Sequence, residues 1–117
     1  MKRGDIWTVA GGGDYTGKPR PAVIVQADQF DETDSITVCP STSDPTEAPF
    51  IRLLVTPDDE NGLSQPSYLM VDKISTVRKS RFGAQVGRLS DDDLVRLNQA
   101  LLVFLGFAGT PRTRTSD

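Results

Sequence analysis

Arg20 occupies the setting in this 117-residue chain that most invites chemistry: it stands between Pro19 and Pro21 in the stretch "GKPRPAVIVQ". Each proline fixes its own φ at about −65° and biases the residue before it towards extended backbone, so the guanidinium leaves from a stiff main chain. A side chain held in this way suits a planar anionic group, which a guanidinium can meet with paired hydrogen bonds. The plainer reading is a strand entry whose arginine points into water. Composition narrows the choices further, because the chain has no histidine and a single cysteine, Cys39. Without histidine there is no imidazole acid or base, no histidine-containing triad and no Cys/His cluster for zinc. One cysteine also forms no internal disulfide.

The formal net charge of −3 argues against a nucleic-acid partner only if the charge is evenly spread, and it is not. Residues 1–25 carry four basic and two acidic groups, residues 26–66 one basic and nine acidic, residues 67–90 five basic and one acidic, and residues 91–117 three basic and four acidic. Two basic blocks therefore flank an acidic middle. If the fold brings the basic blocks together they form a local positive surface, which governs an anionic ligand more than the total does. The alternative is that each block is a solvated face.

The elements that must position these residues are mostly strands. "DIWTVA" alternates, with Ile6, Thr8 and Ala10 on one side and Trp7 and Val9 on the other, and it stops at the glycine-rich "GGGD". "PAVIVQ" is a β-branched run suited to a central strand buried on both faces. "SITVCP" alternates and ends at Pro40, "FIRLLVTP" is a fourth strand, "YLMVDKISTV" a fifth long enough to bend, and "GAQVGRL" a short last one. Strands in such close succession predict a small barrel or sandwich, not a parallel α/β sheet. The exception is "SDDDLVRLNQALLVFLG", a helix with Ser90 as N-cap, Asp91 to Asp93 at the positive end of its dipole and Gly106 just past its end. Leu94, Leu97, Leu101, Phe104 and Leu105 form one expected buried stripe. Val95, Leu102 and Val103 lie off it, which points to a subunit contact on another side.

At this length one domain is expected, burying roughly two-thirds of its unfolded surface. Residues 1–107 are read as that domain and residues 108–117 as a flexible tail. No apolar run approaches the ~20 residues of a membrane span, and no signal-peptide pattern opens the chain, so a cytoplasmic protein without a membrane partner is the expectation.

Five stretches in order, "KRGDIWTV", "RPAVIVQ", "VCPSTS", "VDKISTVRKSR" and "ALLVFLG", resemble the MazF/PemK toxins, the endoribonuclease half of type II toxin–antitoxin pairs. The resemblance runs from Lys2 to about Phe107. It implies a mainly β SH3-like small barrel with a C-terminal α-helix, a homodimer, and cleavage of single-stranded RNA, chiefly mRNA, with no metal or other cofactor. Such a cut uses the ribose 2′-OH as nucleophile and leaves a 2′,3′-cyclic phosphate and a 5′-hydroxyl. The resemblance also implies a MazE-like antitoxin that lays a disordered segment with acidic and apolar residues across the RNA channel.

By position in these motifs Arg20 matches the catalytic arginine, and Thr42, with Ser43 beside it, the hydroxyl element that orients a phosphate oxygen or the 2′-OH. The same "STSDP" is also a plain turn whose hydroxyls cap its own backbone. Asp72 aligns with an acidic residue used for catalysis or substrate contact in some relatives, and a salt bridge to Lys73 or Arg78 is the structural alternative. Lys18, Lys73, Arg78, Lys79 and Arg81 are the expected phosphate contacts. The loop before Arg20 departs from the family: Asp14 and Tyr15 stand where many relatives have a Gly-x-Glu-Gln segment. Tyr15 is placed either to stack on a splayed base or to pack over the barrel mouth. Two other functions fit such a barrel, a CcdB-like gyrase poison and a catalytically silent binding module.

Overall fold

The computed structural model describes residues 1–11, 18–45, 48 and 50–109. Its chain order is β1 (Asp5–Val9), β2 (Arg20–Ile24), β3 (Ser35–Thr42), β4 (Arg52–Val55), β5 (Ser67–Met70), β6 (Ser75–Arg78), β7 (Phe82–Arg88) and α1 (Asp91–Phe104). The strands form one antiparallel sheet in the order β4-β5-β3-β2-β1-β7, with β6 also paired to β3. The mainly β class with a C-terminal helix is thus the one expected from the sequence. The hydrogen-bonded path is open between β4 and β7, so the barrel-like shape comes from bending of the sheet.

Bending begins at β3, whose first half, Ser35 to Val38, pairs with β6 while its end, Ser41 and Thr42, pairs with β5. The predicted long fifth strand accordingly breaks into β5 and β6 around a 3₁₀ turn, Val71–Lys73. β3 runs two residues beyond Pro40, where the sequence pattern ended it. The Val25 amide donates to the Thr37 carbonyl, which fixes the alternation with β2 so that the Pro40 nitrogen faces the opposite edge. There β6 has ended and β5 has not begun, and the missing N–H costs no ladder bond.

Alternation divides the core between the two faces of the sheet. Ile6, Val23, Cys39, Val55, Leu69, Val71, Leu89, Leu97 and Ala100 are packed together on one face. Ala22, Ile24, Ile36 and Val38 form the other cluster, with Trp7, Val9 and Val77 against it. The β2 run is therefore buried on both faces, as its β-branched composition predicts. Trp7 meets Phe82 edge to face, with ring centroids 6.2 Å apart.

α1 keeps its expected ends. The Ser90 hydroxyl accepts from the Asp93 amide at 3.2 Å, and Gly106, at φ +84°, closes a Schellman turn in which the Phe107 and Gly106 amides donate to the Leu102 and Val103 carbonyls. The expected buried stripe holds only in part. Leu97 and Ala100 are buried and Leu94 and Leu101 pack against the core, but Phe104 and Leu105 are 43% and 50% exposed. The helix packs on β4 and the 71–73 turn, and its last turn projects past them. Among the described residues no helix is long and apolar enough to cross a membrane. Of the expected tail, residues 108–117, those from 110 onward lie outside the described residues.

Candidate active site

Arg20 opens β2, paired with Val9 of β1, and is exposed. Its backbone neighbourhood is pinned by Ser41, a buried residue on β3 whose hydroxyl donates to the Pro21 carbonyl at 2.6 Å. Three clefts converge on this point, and Arg20 and Ser41 line all of them. The first, of about 170 Å³, has walls of Val9, Ala22, Val38, Pro40 and Val77, with Lys18, Lys73 and Arg81 beside Arg20. The second, of about 350 Å³, is bounded by Lys18, Thr42, Ser43 and the segment Gly62 to Gln65. The third, of about 280 Å³, adds Thr42, Asp44, Arg52 and Lys73.

The two basic blocks of the sequence do meet here, Lys18 and Arg20 from the first with Lys73 and Arg81 from the second. Arg78 and Lys79 do not line these three clefts. Lys79 instead bonds the Asp31 carbonyl through its ammonium and the Asp34 carbonyl through its amide. The turn reading of Thr42 holds, its hydroxyl accepting from the Asp44 amide at 3.1 Å, and the residue also lines two of the clefts with Arg20. Ser43 is exposed and lines one.

Asp72 lies in the 71–73 turn and is ion-paired with Arg52 of β4, not with Lys73 or Arg78. Arg52 is itself largely buried, its side chain 13% exposed, and also donates to the Ile51 carbonyl. Asp72 thus reaches the clefts through Arg52. Cys39 is shut in the core beside this pair; burial, reinforced by Asp72 and opposed by Arg52, pushes its thiol from 9.0 up to about 12. Such a thiol is no nucleophile at neutral pH. Among the described residues no group of three or more Asp, Glu, Cys or His side chains is placed to hold a metal. Asp14 and Tyr15 lie outside the described residues.

Sequence reasoning missed the residues that build the wall opposite Arg20. Asn61 is fully buried; its amide donates to the Thr56 carbonyl at 2.9 Å and its oxygen accepts from the Leu63 and Asp58 amides at 3.0 and 3.1 Å. Gly62 follows at φ +66°, where a Cβ would stand 2.1 Å from the Val86 carbonyl oxygen. Only glycine tolerates that approach. The segment "DDENG" shows turn formers, but nothing in it says that this turn docks against β7 and faces β2.

The model of the PemK-like, MazF-like toxins of type II toxin–antitoxin systems matches residues 2–105. A "Probable endoribonuclease MazF" of Mycolicibacterium smegmatis is 53% identical over 109 residues, covering 93% of this chain and all of the relative. An "Endoribonuclease MazF9" of Mycobacterium tuberculosis is 31% identical, covering 90% of this chain and 96% of its own. In fold, the chain superposes on an "Endoribonuclease in complex with its cognate antitoxin from Mycobacterial species" with a TM-score of 0.74 at 21% identity, over 94% of this chain and 99% of the other. The MazF crystal structure from Deinococcus radiodurans gives 0.73 at 22%, over 91% and 96%.

Proposed function

The chain belongs to the PemK-like, MazF-like toxin family of type II toxin–antitoxin systems, and from that premise we propose that it is an endoribonuclease cutting single-stranded RNA at Arg20 without a metal. The observation that carries this reading is the meeting of Lys18, Arg20, Lys73 and Arg81 around one cleft in a chain whose net charge is −3. Four cations drawn from two distant segments concentrate positive potential where a phosphate backbone can enter.

The reaction joins the ribose 2′-oxygen to the adjacent phosphorus and breaks the bond from that phosphorus to the 5′-oxygen. The 2′-hydroxyl proton leaves and the 5′-oxygen gains one, giving a 2′,3′-cyclic phosphate and a 5′-hydroxyl. An arginine side chain stays charged and donates from a planar fork, so Arg20 stabilises the negative charge that builds on the nonbridging oxygens. Thr42 and Ser43 orient the phosphate or the 2′-OH. Asp72 holds Arg52 in the third cleft and is a positioning residue. Lys18, Lys73 and Arg81 align the backbone on either side of the cut.

The same clefts are where an antitoxin acts. Its acidic residues imitate phosphates and its apolar residues fill the valine-walled cleft, so an acidic antitoxin segment suppresses cutting. Two copies of the chain pair through the exposed apolar surface of α1 and bring their basic clefts to one groove.

Purified protein incubated with a long single-stranded RNA in EDTA, followed by mapping of the new ends, tests the reading. Discrete cuts bearing 2′,3′-cyclic phosphate and 5′-hydroxyl ends are expected. A requirement for Mg²⁺ with 5′-phosphate ends, or intact RNA, would reject it.

A further inference from the structure

We infer that the enzyme reads base identity stringently on one side of the cut only, and that Gln65 is the residue that does so; the inference rests on the cleavage reading above. The first two of the three clefts that Arg20 lines differ in chemistry. In the smaller one the cations Lys18, Lys73 and Arg81 stand beside walls of Val9, Val38 and Val77; with those cations engaged on phosphates, a base there is judged mainly by size and apolar contact, which rejects a near-isostere only weakly. A base entering the larger one meets Thr42, Ser43, Ser64 and Gln65. Hydroxyls and a carboxamide can match a particular pattern of donors and acceptors on a base edge, and a base of the wrong pattern then leaves polar groups unpaired.

Gln65 has the features a reader needs. Its carboxamide is both donor and acceptor on one planar group, so it can pair with two adjacent atoms of an unstacked base. It is exposed and therefore accessible to RNA. Its main chain is held in place, since the Ser67 hydroxyl donates to the Gln65 carbonyl at 3.2 Å and buried Asn61 anchors the same segment from the other end. Thr42, in contrast, accepts from the Asp44 amide and keeps one O–H donor and one lone pair for the phosphate or 2′-OH, with no second polar atom to pair a base edge. Arg20 lines both clefts, so with the scissile phosphate held on Arg20 the nucleotides they receive are those flanking the cut.

Cleavage of a random-sequence RNA pool by wild type and by Gln65→Ala, with all cut sites sequenced, tests this. Wild type should show one stringent position beside the cut and a permissive one across it. Gln65→Ala should lose about ten- to hundredfold of the discrimination at the stringent position only, and Gln65→Glu, which lacks the donor, should re-rank the bases at that same position. Matched thermal melting of the variants shows that folding is unaffected, as exposure of Gln65 implies. An unchanged cut-site profile for Gln65→Ala, a uniform fall in rate on all sequences, or equal stringency on both sides in wild type would overturn the inference. Absence of any cutting by wild type would instead remove the reading on which it rests.

Discussion

Cys39 and Asp72 show what a single residue reveals before folding and what it conceals. In "SITVCP" the cysteine shares a side with Ser35 and Thr37, so alternation alone conceals its burial; it is buried because β3 is covered on both faces there, with Val38 and Cys39 in opposite core clusters. Because the folded thiol holds its proton up to about pH 12 while the unfolded one releases it near 9.0, the unfolded state binds fewer protons between those values and stability falls as pH rises through that window. Below it the contribution is fully present. Native protein at pH 8 should resist alkylation by iodoacetamide, and urea-unfolded protein should react; rapid labelling of the native protein would contradict the burial. Asp72 was legible as an acid within a basic block, but its partner was not. Arg52 lies 20 residues earlier and becomes a neighbour only because β4 pairs with β5. Arg20 stood out in the sequence through its two flanking prolines and, more, through the family resemblance, and Ser41 was hidden because a serine in a strand looks the same whether it faces water or the Pro21 carbonyl.

The elements were the most readable level, with exceptions that have specific physical causes. Both caps of α1 are local chemistry and came through intact. Phe104 and Leu105 did not, since periodicity gives the direction of a side chain but not how far the partner surface extends beneath it. The break between β5 and β6 and the continuation of β3 through Pro40 share one origin, the exchange of β3's neighbour part-way along its length, which no local pattern encodes. The solvent face of α1 carries Val95 and Leu102, seven residues apart and 52% and 46% exposed, with Phe107 at 77% beyond. A helix apolar on both sides needs a second partner. Sedimentation should show a dimer at micromolar concentration, and Leu102→Glu should shift it to monomer while leaving helical content unchanged. A wild-type monomer at that concentration, or a Leu102→Glu dimer of undiminished affinity, would remove α1 as the contact.

For the whole molecule, the distribution of charge matters and its sum does not. The acidic middle of the chain lowers the total, but at Arg20 the sheet gathers cations from residues 18–20 and 73–81. The sequence showed two basic blocks; that they share a cleft is a property of the β1–β2–β3–β6 arrangement, which depends on contacts far apart in the chain. Exposed charges separated by more than about 10 Å are largely screened at ordinary salt, so location decides their effect. Arg20→Ala and Arg78→Ala change the net charge equally, yet only the first removes a residue of the convergent clefts. Single-turnover cleavage of one mapped RNA site in EDTA, with circular dichroism and melting matched across the proteins, separates position from total charge. Arg20→Ala should lose on the order of 10²–10³ in rate, the usual cost of one contact to developing transition-state charge, while Arg78→Ala stays within about a few-fold of wild type. A folded Arg20→Ala protein that cleaves at the wild-type rate would contradict the placement of the active site.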